Sequence, residues 1–265
     1  MGKELKLRTL TSTLTFNLTS TLKIILGVMT MLTLGCHQKE HDVSPQPQLT
    51  VSQDHLREVQ EQTQERGSSW LFVGDSLTAG YGLKSEESYV HLLEQLLQSE
   101  HLVDQKGFTP RLINAGVSGD TSAGVLRRIS WLLKDHPSKV FLCIGANDGM
   151  RGQPIDRLKS NLIKTVDRIR SSGAEAILIG MQLPPNYGEG YTQEFKRVYP
   201  EVAEELSVQL IPFLLEGVAG EQSLNQGDGI HPNTAGHQRI AKSLLEQVKS
   251  LELLSENKTA LEDVK

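Results

Sequence analysis

The chain has 265 residues, of which 38% are hydrophobic and 22% are charged, and its formal net charge is −5. This length and composition are typical of a globular protein with one sizeable domain or two small ones. The chain has no block of basic residues, and its net negative charge would repel a phosphate backbone, so we predict no nucleic-acid partner.

The first 35 residues have the pattern of an export signal. The apolar run Ile24–Leu34 follows four basic residues, Lys3, Lys6, Arg8 and Lys23. Its eleven residues are too few to cross a bilayer as a helix, which takes about 20. A basic leader, a short apolar core and a small residue before a break predict a secretory signal peptide over residues 1–35. An N-terminal membrane anchor that is never cleaved is the alternative.

The end of this segment, Leu32-Thr33-Leu34-Gly35-Cys36, resembles a bacterial lipobox. It departs from the usual pattern at Thr33, where leucine is typical. The resemblance implies that Cys36 becomes lipidated and that the exported protein is anchored to a membrane of the cell envelope. The second cysteine, Cys143, lies in an apolar run that is typical of a buried strand. If Cys36 carries lipid, no disulfide is possible within the chain.

Residues 36–67 are rich in Gln, Glu and Ser and contain no aromatic residue. Such a segment cannot bury much apolar surface, which predicts a solvated, flexible tether.

From Trp70 onward, short apolar runs alternate with longer helical patterns. The predicted strands are Trp70–Val73, Arg111–Ala115, Val140–Ile144, Ala176–Met181 and Val208–Pro212. The predicted helices are Ser88–Gln98, Thr121–Leu133, Ile155–Ser171, Thr192–Leu206 and Thr234–Leu251. This alternation predicts a five-stranded parallel sheet covered on both faces, a three-layer α/β/α domain over residues 68–251. Residues 252–265 are predicted to be a polar tail.

Residues with catalytic chemistry follow the predicted strands. Ser76 follows the first, Gly119 the second and Asn147 the third, while Asp228 and His231 follow the fifth. In parallel sheets ligands bind beyond the carboxyl ends of the strands. We therefore expect these five residues to gather at one edge.

In "GDGIHPN" Asp228 precedes His231 by three residues, within reach of the imidazole Nδ1–H. That contact would leave Nε2 free to accept a hydroxyl proton from Ser76. The alternative is a helix-capping loop that happens to contain a histidine.

The sequence also offers hydrogen-bond donors for an oxyanion. Gly119 supplies a backbone N–H in a loop that opens a helix, and Asn147 supplies a side-chain amide. Ordinary Gly/Asn turns are the alternative. Helix capping or loop bracing is predicted for Asp75, Asp120 and Asp148.

Four motifs in this order, "GDSLTAGYG", "NAGVSGDT", "GANDG" and "DGIHPN", resemble the sequence blocks of the GDSL, or SGNH, hydrolases. The resemblance covers about residues 70–250. It implies a flavodoxin-like fold, Ser76 as nucleophile, and an oxyanion hole from Ser76, Gly119 and Asn147. His231 and Asp228 would complete a catalytic triad.

"GDSLTAGYG" together with "MQLPPNYGEGY" resembles the branch of bacterial arylesterases, lysophospholipases and acyl-thioesterases. The expected activity is hydrolysis of a small acyl ester or thioester, without a metal or a cofactor. Two alternatives remain: a carbohydrate O-acetyl esterase, and a non-catalytic module that binds an acyl or sugar ligand.

The segment after the fourth predicted strand, "MQLPPNYGEGYTQEF", should border the mouth of the site. We expect Met181 and Leu183 to cover the end of the sheet. Pro185 and Tyr187 are expected to form a substrate-binding wall, because the prolines preset the backbone beside them. Such a wall predicts a preference for medium-chain over acetyl esters.

Overall fold

The computed structural model of the protein describes residues 68–256. The predicted signal peptide, the tether with Cys36, and residues 257–265 lie outside the described residues. Within 68–256, no helix combines the length and the apolar character that a membrane span requires.

The described chain alternates strands and helices. The strands are β1 (Ser69–Gly74), β2 (Leu102–Asp104), β3 (Arg111–Gly116), β4 (Lys139–Cys143), β5 (Glu175–Ile179), β6 (Gln209–Ile211) and β7 (Leu254–Glu256). The helices are α1 (Ser76–Ala79), α2 (Tyr89–Ser99), α3 (Ser122–Leu132), α4 (Ala146–Met150), α5 (Ile155–Ser171), α6 (Glu189–Leu206) and α7 (Thr234–Ser250).

Five of the strands form one parallel sheet in the order β3-β1-β4-β5-β6. The chain runs from β1 to one neighbour, β3, and then crosses to the other neighbour, β4. This is the flavodoxin-like order, and its switch point, where ligands bind, lies at the carboxyl end of β1. The predicted three-layer fold is confirmed, with α2 packed on α7 in one layer and α3, α5 and α6 in the other.

The centre of the sheet is apolar because both of its faces are covered. In the register of β1 with β4, Phe72 lies beside Phe141, and their rings stack with centroids 4.5 Å apart. Tyr89 of α2 packs edge-on against Phe72. On the other side α5 buries Leu158, Leu162, Val166 and Ile169, at the spacing that places them on one helix face.

The predicted strands and long helices are present, with ends shifted by a few residues. β5 stops at Ile179. The N–H of the next residue, Gly180, still donates to the carbonyl of Ile211 at the end of β6, but the Gly180 carbonyl accepts from the Leu214 N–H, beyond that strand. α6 begins at Glu189 rather than Thr192, following Gly188 at a φ of +88°.

The domain does not end at Leu251. Strands β2 and β7 pair antiparallel as a separate two-stranded ribbon, and Leu253, just before β7, is buried. The predicted tail from residue 252 therefore begins with structured residues. Neither three-residue strand is long enough to give a distinct sequence pattern, so the ribbon depends on a contact between distant parts of the chain.

Candidate active site

Ser76 is the first residue of the short helix α1, directly after β1. The Asp75 side chain caps this helix by accepting from the Leu77 N–H at 3.1 Å. The helix can lie this close to the sheet because Gly116 of β3 has no side chain. A Cβ at this position would come within 2.2 Å of the Ala79 nitrogen. Asn114 of β3 donates to the Thr78 carbonyl at 2.7 Å, so neighbouring strands fix the position of Ser76.

His231 and Asp228 reach the same edge of the sheet from the loop before α7. Ser76 Oγ lies 2.9 Å from His231 Nε2, and His231 Nδ1 lies 2.7 Å from Asp228 Oδ2. The other carboxylate oxygen, Asp228 Oδ1, accepts from the backbone N–H groups of Ile230 and His231, each at 3.0 Å. The structure thus brings Ser76 together with Asp228 and His231, although Ser76 and His231 are 155 positions apart in the sequence.

These contacts set the charge of Asp228. The backbone N–H of His231 is the largest influence, followed by its side chain and the Ile230 N–H, and together they lower the pKa of Asp228 to about 2. The carboxylate is therefore ionised at neutral pH and can hold the imidazole with Nδ1 protonated and Nε2 free to accept.

Gly119 and Asn147 lie on adjoining segments of this edge. Gly119 has a φ of +78° in the loop before α3, and Asn147 is the second residue of α4. Among residues 68–256, no hydrogen-bond partner is found for the backbone N–H of Ser76 or Gly119, or for the side-chain amide of Asn147. All three groups predicted to bind an oxyanion are free to donate.

Arg151 joins these two segments. Its guanidinium donates to the Gly119 carbonyl at 3.0 Å, and its backbone N–H donates to the Asn147 carbonyl. Arg128 holds the same loop from the other side, through an ion pair with Asp120 at 2.8 Å.

The neighbouring aspartates have the predicted structural roles. Asp148 accepts from the Ser122 N–H at 2.8 Å and from its hydroxyl at 2.6 Å, which ties α4 to the amino end of α3. Asp75 caps α1, and Asp120 pairs with Arg128.

A cavity of about 350 Å³ opens beside Ser76 and His231. Its wall is mostly apolar: Leu77, Ala146, Met150, Met181, Leu183, Pro184, Pro185, Phe213, Leu215, Ala219 and Ile230 line it. The volume and character are those of a pocket for a small, largely apolar ligand.

The segment after β5 forms one side of this cavity, with a different set of residues from the predicted one. Pro185 lines it, but Tyr187 does not, and the Tyr187 side chain is 37% exposed. Met181 and Leu183, expected only to cover the sheet end, are part of the wall. Pro185 and Tyr187 are the first and last residues of one 3-10 turn, and only the first of them lines the cavity.

Sequence reasoning missed Gln226, Tyr81 and Arg151. The Tyr81 ring packs against the His231 ring, with centroids 4.7 Å apart and the ring planes tilted by 40°. The Gln226 side chain donates hydrogen bonds to the Tyr81 carbonyl, in the segment after Ser76, and to the Pro232 carbonyl, next to His231. Their positions inside "GDSLTAGYG" and just before "GDGIHPN" are the only signals that the sequence offers for Tyr81 and Gln226.

Over residues 68–256, no group of three or more His, Cys, Asp or Glu side chains is arranged to hold a metal ion. The groups brought together at the carboxyl edge are instead a hydroxyl, an imidazole, a carboxylate and unpaired amide donors. With a flavodoxin-like sheet beneath them, they have the architecture of an SGNH hydrolase.

Comparison with known proteins agrees with this class. Residues 72–239 match the GDSL-like Lipase/Acylhydrolase family, and the chain belongs to that family. It is 41% identical over 189 residues to esterase TesA of Pseudomonas aeruginosa, covering 71% of this chain and 91% of that protein. It is 36% identical over 182 residues to the thioesterase 1/protease 1/lysophospholipase L1 of Escherichia coli strain K12, and the match covers 68% of this chain and 83% of that protein.

A solved structure is similar in fold as well. The psychrotrophic esterase EstA from Pseudoalteromonas sp., in a structure inhibited by monoethylphosphonate, superimposes with a TM-score of 0.65 at 34% identity. The match covers 69% of this chain and 98% of EstA. The protein is a carboxylic ester hydrolase.

Proposed function

We propose that the chain is a serine esterase that hydrolyses carboxylic esters and thioesters through an acyl-enzyme on Ser76. The observation that carries the proposal is the pair of contacts at 2.9 Å from Ser76 Oγ to His231 Nε2 and 2.7 Å from His231 Nδ1 to Asp228. A serine hydroxyl is a weak nucleophile until an adjacent base takes its proton.

In the first half of the reaction, His231 Nε2 takes the Ser76 proton as Oγ forms a bond to the carbonyl carbon of the substrate. The carbonyl π electrons move onto oxygen. When they return, the bond to the leaving group breaks, and the alcohol or thiol departs with the proton from Nε2. Asp228 stays ionised and stabilises the imidazolium.

In the second half, His231 takes a proton from water, whose oxygen attacks the acyl carbon. The acid is released, and the proton on Nε2 returns to Ser76 Oγ. In both halves the negative oxygen accepts hydrogen bonds from the N–H groups of Ser76 and Gly119 and from the Asn147 amide. This role is supported by the lack of other partners for these donors among the described residues.

The apolar cavity supports an acyl chain as the bound group. Each methylene that enters it contributes about 0.8 kcal/mol, so kcat/KM should rise with acyl length until the cavity is full. We propose medium-chain esters or thioesters as preferred substrates, with Pro185 in the binding wall. An apolar wall favours this reading over a carbohydrate O-acetyl esterase.

The test is hydrolysis of a p-nitrophenyl ester series from acetyl to palmitoyl, with the matched acyl thioesters. Ser76→Ala should lower kcat by ~10⁴-fold or more, whereas Ser223→Ala, on the exposed turn before Asn225, should leave kcat unchanged. EDTA should have no effect on activity. A strict preference for acetyl would favour the O-acetyl esterase, and no turnover of any ester by the unaltered chain would favour the binding module.

We also propose that the protein is exported and anchored to a membrane of the cell envelope through lipid on Cys36. The support is the sequence pattern of residues 1–36. Cys36→Ser should abolish lipidation and leave either an unprocessed precursor or a soluble protein. Mass spectrometry of the mature N-terminus decides, because an unmodified terminus downstream of residue 36 contradicts the proposal.

A further inference from the structure

Gln226 connects the two segments that carry Ser76 and His231. Its side-chain Nε2 donates to the Tyr81 carbonyl at 2.7 Å and to the Pro232 carbonyl at 3.0 Å. Its backbone N–H donates to the His231 carbonyl at 2.7 Å. One residue therefore contacts the chain on either side of the Ser76–His231 pair.

On the serine side, the link reaches Ser76 through Tyr81. The Tyr81 N–H donates to the Ser76 carbonyl at 3.0 Å, while the Tyr81 carbonyl accepts from Gln226. A continuous series of hydrogen bonds thus runs from Ser76 through Tyr81 and Gln226 to His231, in addition to the direct contact between the two side chains.

Gly82 makes room for the Gln226 carboxamide. Gly82 has a φ of +79°, and a Cβ at this position would lie only 2.4 Å from Gln226 Oε1. Any other residue at Gly82 would both strain the backbone and displace the Gln226 side chain. The glycine and the glutamine therefore fit one another.

Apart from the Ser76–His231 contact, the other side-chain hydrogen bonds between these two parts of the chain lie further along the sequence from Ser76. Glu87 accepts from the Thr234 hydroxyl at 3.0 Å, and His237 Nδ1 accepts from the Tyr89 N–H at 3.0 Å. The loop that carries Asp228 and His231 is largely exposed between its two ends, where the buried residues Asn225 and Pro232 form a bridge. Without Gln226, the direct restraints left between the two segments beside Ser76 would be the Ser76–His231 contact and the packing of the Tyr81 ring on the His231 ring.

On this basis, and given the proposed function, we infer that Gln226 is a positioning residue that keeps His231 Nε2 at bonding distance from Ser76 Oγ. Gln226 is not among the residues that line the cavity, so it acts through the two loops rather than on the substrate. Misplacement of a catalytic group by about 1 Å can cost about 10²-fold in rate. The carboxamide suits this place because one NH₂ group offers two donors to two carbonyls.

The first test is Gln226→Met, which keeps the length of the side chain and removes both donors. With p-nitrophenyl butyrate we expect kcat to fall about 10- to 100-fold and KM to stay within about twofold, since the cavity is untouched. Modification of Ser76 by a p-nitrophenyl phosphonate should slow by the same factor. Gln222→Met makes the same change at an exposed position four residues earlier and should match the unaltered protein.

Gln226→Glu covers the case in which the methionine variant does not fold. At neutral pH its carboxylate faces two carbonyl oxygens and has no proton to donate, and protonation restores one donor. The ratio of its kcat to that of the unaltered protein should therefore rise as the pH falls from 8 to 5. Taking the ratio to the unaltered protein at each pH removes the pH effects that the two proteins share.

The outcomes separate this inference from the proposed function. An unaltered protein that hydrolyses no ester defeats the proposed function. An active unaltered protein with kcat of Gln226→Met within twofold of it, or a Gln226→Glu ratio that does not depend on pH, overturns the positioning role alone.

Discussion

Asp75, the residue before the proposed nucleophile, has a carboxyl group that is almost fully buried (2% exposed). Burial is the largest influence on it and raises its pKa from 3.8 to about 6, although the Leu77 N–H opposes this. The folded state therefore retains a proton that the unfolded chain has lost between about pH 4 and 6. Stability contributed by this group falls as the pH rises through that window, by roughly 3 kcal/mol in all.

His237 has the opposite effect over nearly the same range. It is buried in α7, where it accepts from the Tyr89 N–H, and burial lowers its pKa from 6.5 to about 4. Between these values the unfolded chain binds the proton more readily than the folded protein. Stability contributed by His237 therefore rises with pH from about 4 to 6.5.

The two effects should largely cancel in the unaltered protein, and single substitutions should separate them. In Asp75→Asn, which can still accept from Leu77, stability should rise from pH 4 to 6.5 and exceed that of the unaltered protein at pH 7. In His237→Gln, stability should fall from pH 4 to 6. Urea unfolding at half-unit pH intervals measures both, and parallel curves for all three proteins would show that the shifted pKa values are wrong.

Asn147→Ala tests whether the free amide donates mainly in the transition state. Removal of one oxyanion donor typically lowers kcat by ~10²–10³-fold, and we expect a much smaller change in KM. Steady-state kinetics with a p-nitrophenyl ester measure both. A loss confined to KM would make Asn147 a residue that binds the ground state of the substrate.

At the scale of the elements, the site depends on how its loops are tied to one another. Arg151 bonds the Gly119 loop to α4, while the Arg128–Asp120 ion pair bonds it to the region of β1, since Arg128 also donates to the Gly74 carbonyl at 3.2 Å. Because the Gly119 loop is bonded on two sides, the Gly119 N–H can keep one direction even before a substrate binds.

Arg151→Met should therefore lower kcat by about 10-fold while the melting temperature changes little, because the arginine is exposed. Arg157→Met is the matched control, since that arginine is exposed in α5 and the one hydrogen bond found for its side chain among the described residues is to Gln153, at 3.4 Å. Kinetics and thermal melts of both variants check this. Equal kcat values in the two variants would mean that the Gly119 loop keeps its position without the guanidinium.

At the scale of the whole molecule, the β2–β7 ribbon closes the fold far from the site. Helices return from the carboxyl edge to the amino edge of a parallel sheet, so α2 and α7 begin near the site and lead to the ribbon at the opposite edge. The ribbon pairs residues about 150 positions apart and holds the end of the domain to α2.

A chain ending at Leu251 should therefore be less stable, by at least ~2 kcal/mol, because it loses the buried side chain of Leu253 as well as the strand pairing. A chain ending at Glu256 retains both and is the control. Urea unfolding gives the stabilities. Below the unfolding transition kcat should be the same in both, and a selective loss of kcat in the shorter chain would contradict the separation of ribbon and site.

The sequence by itself determined the main elements and the side chains that are available at the candidate site. The buried strand β4 appears in the sequence as the apolar run Val140–Ile144, and α5 repeats its apolar residues with the period of a helix, so local patterns were sufficient for both. The motifs contained Ser76, Asp228 and His231, the residues of the proposed triad, because the identity of a side chain can be read directly from the sequence.

Only the tertiary structure decided what those side chains meet. The cavity wall combines residues from the ends of several strands, which explains why Met181 lines it and Tyr187 does not. The bond from Gln226 to Tyr81 spans 145 positions, and the raised pKa of Asp75 depends on burial by the whole domain. Strands and helices repeat their apolar residues with a fixed local period, which can be read from the sequence. A contact between distant segments produces no such repeat.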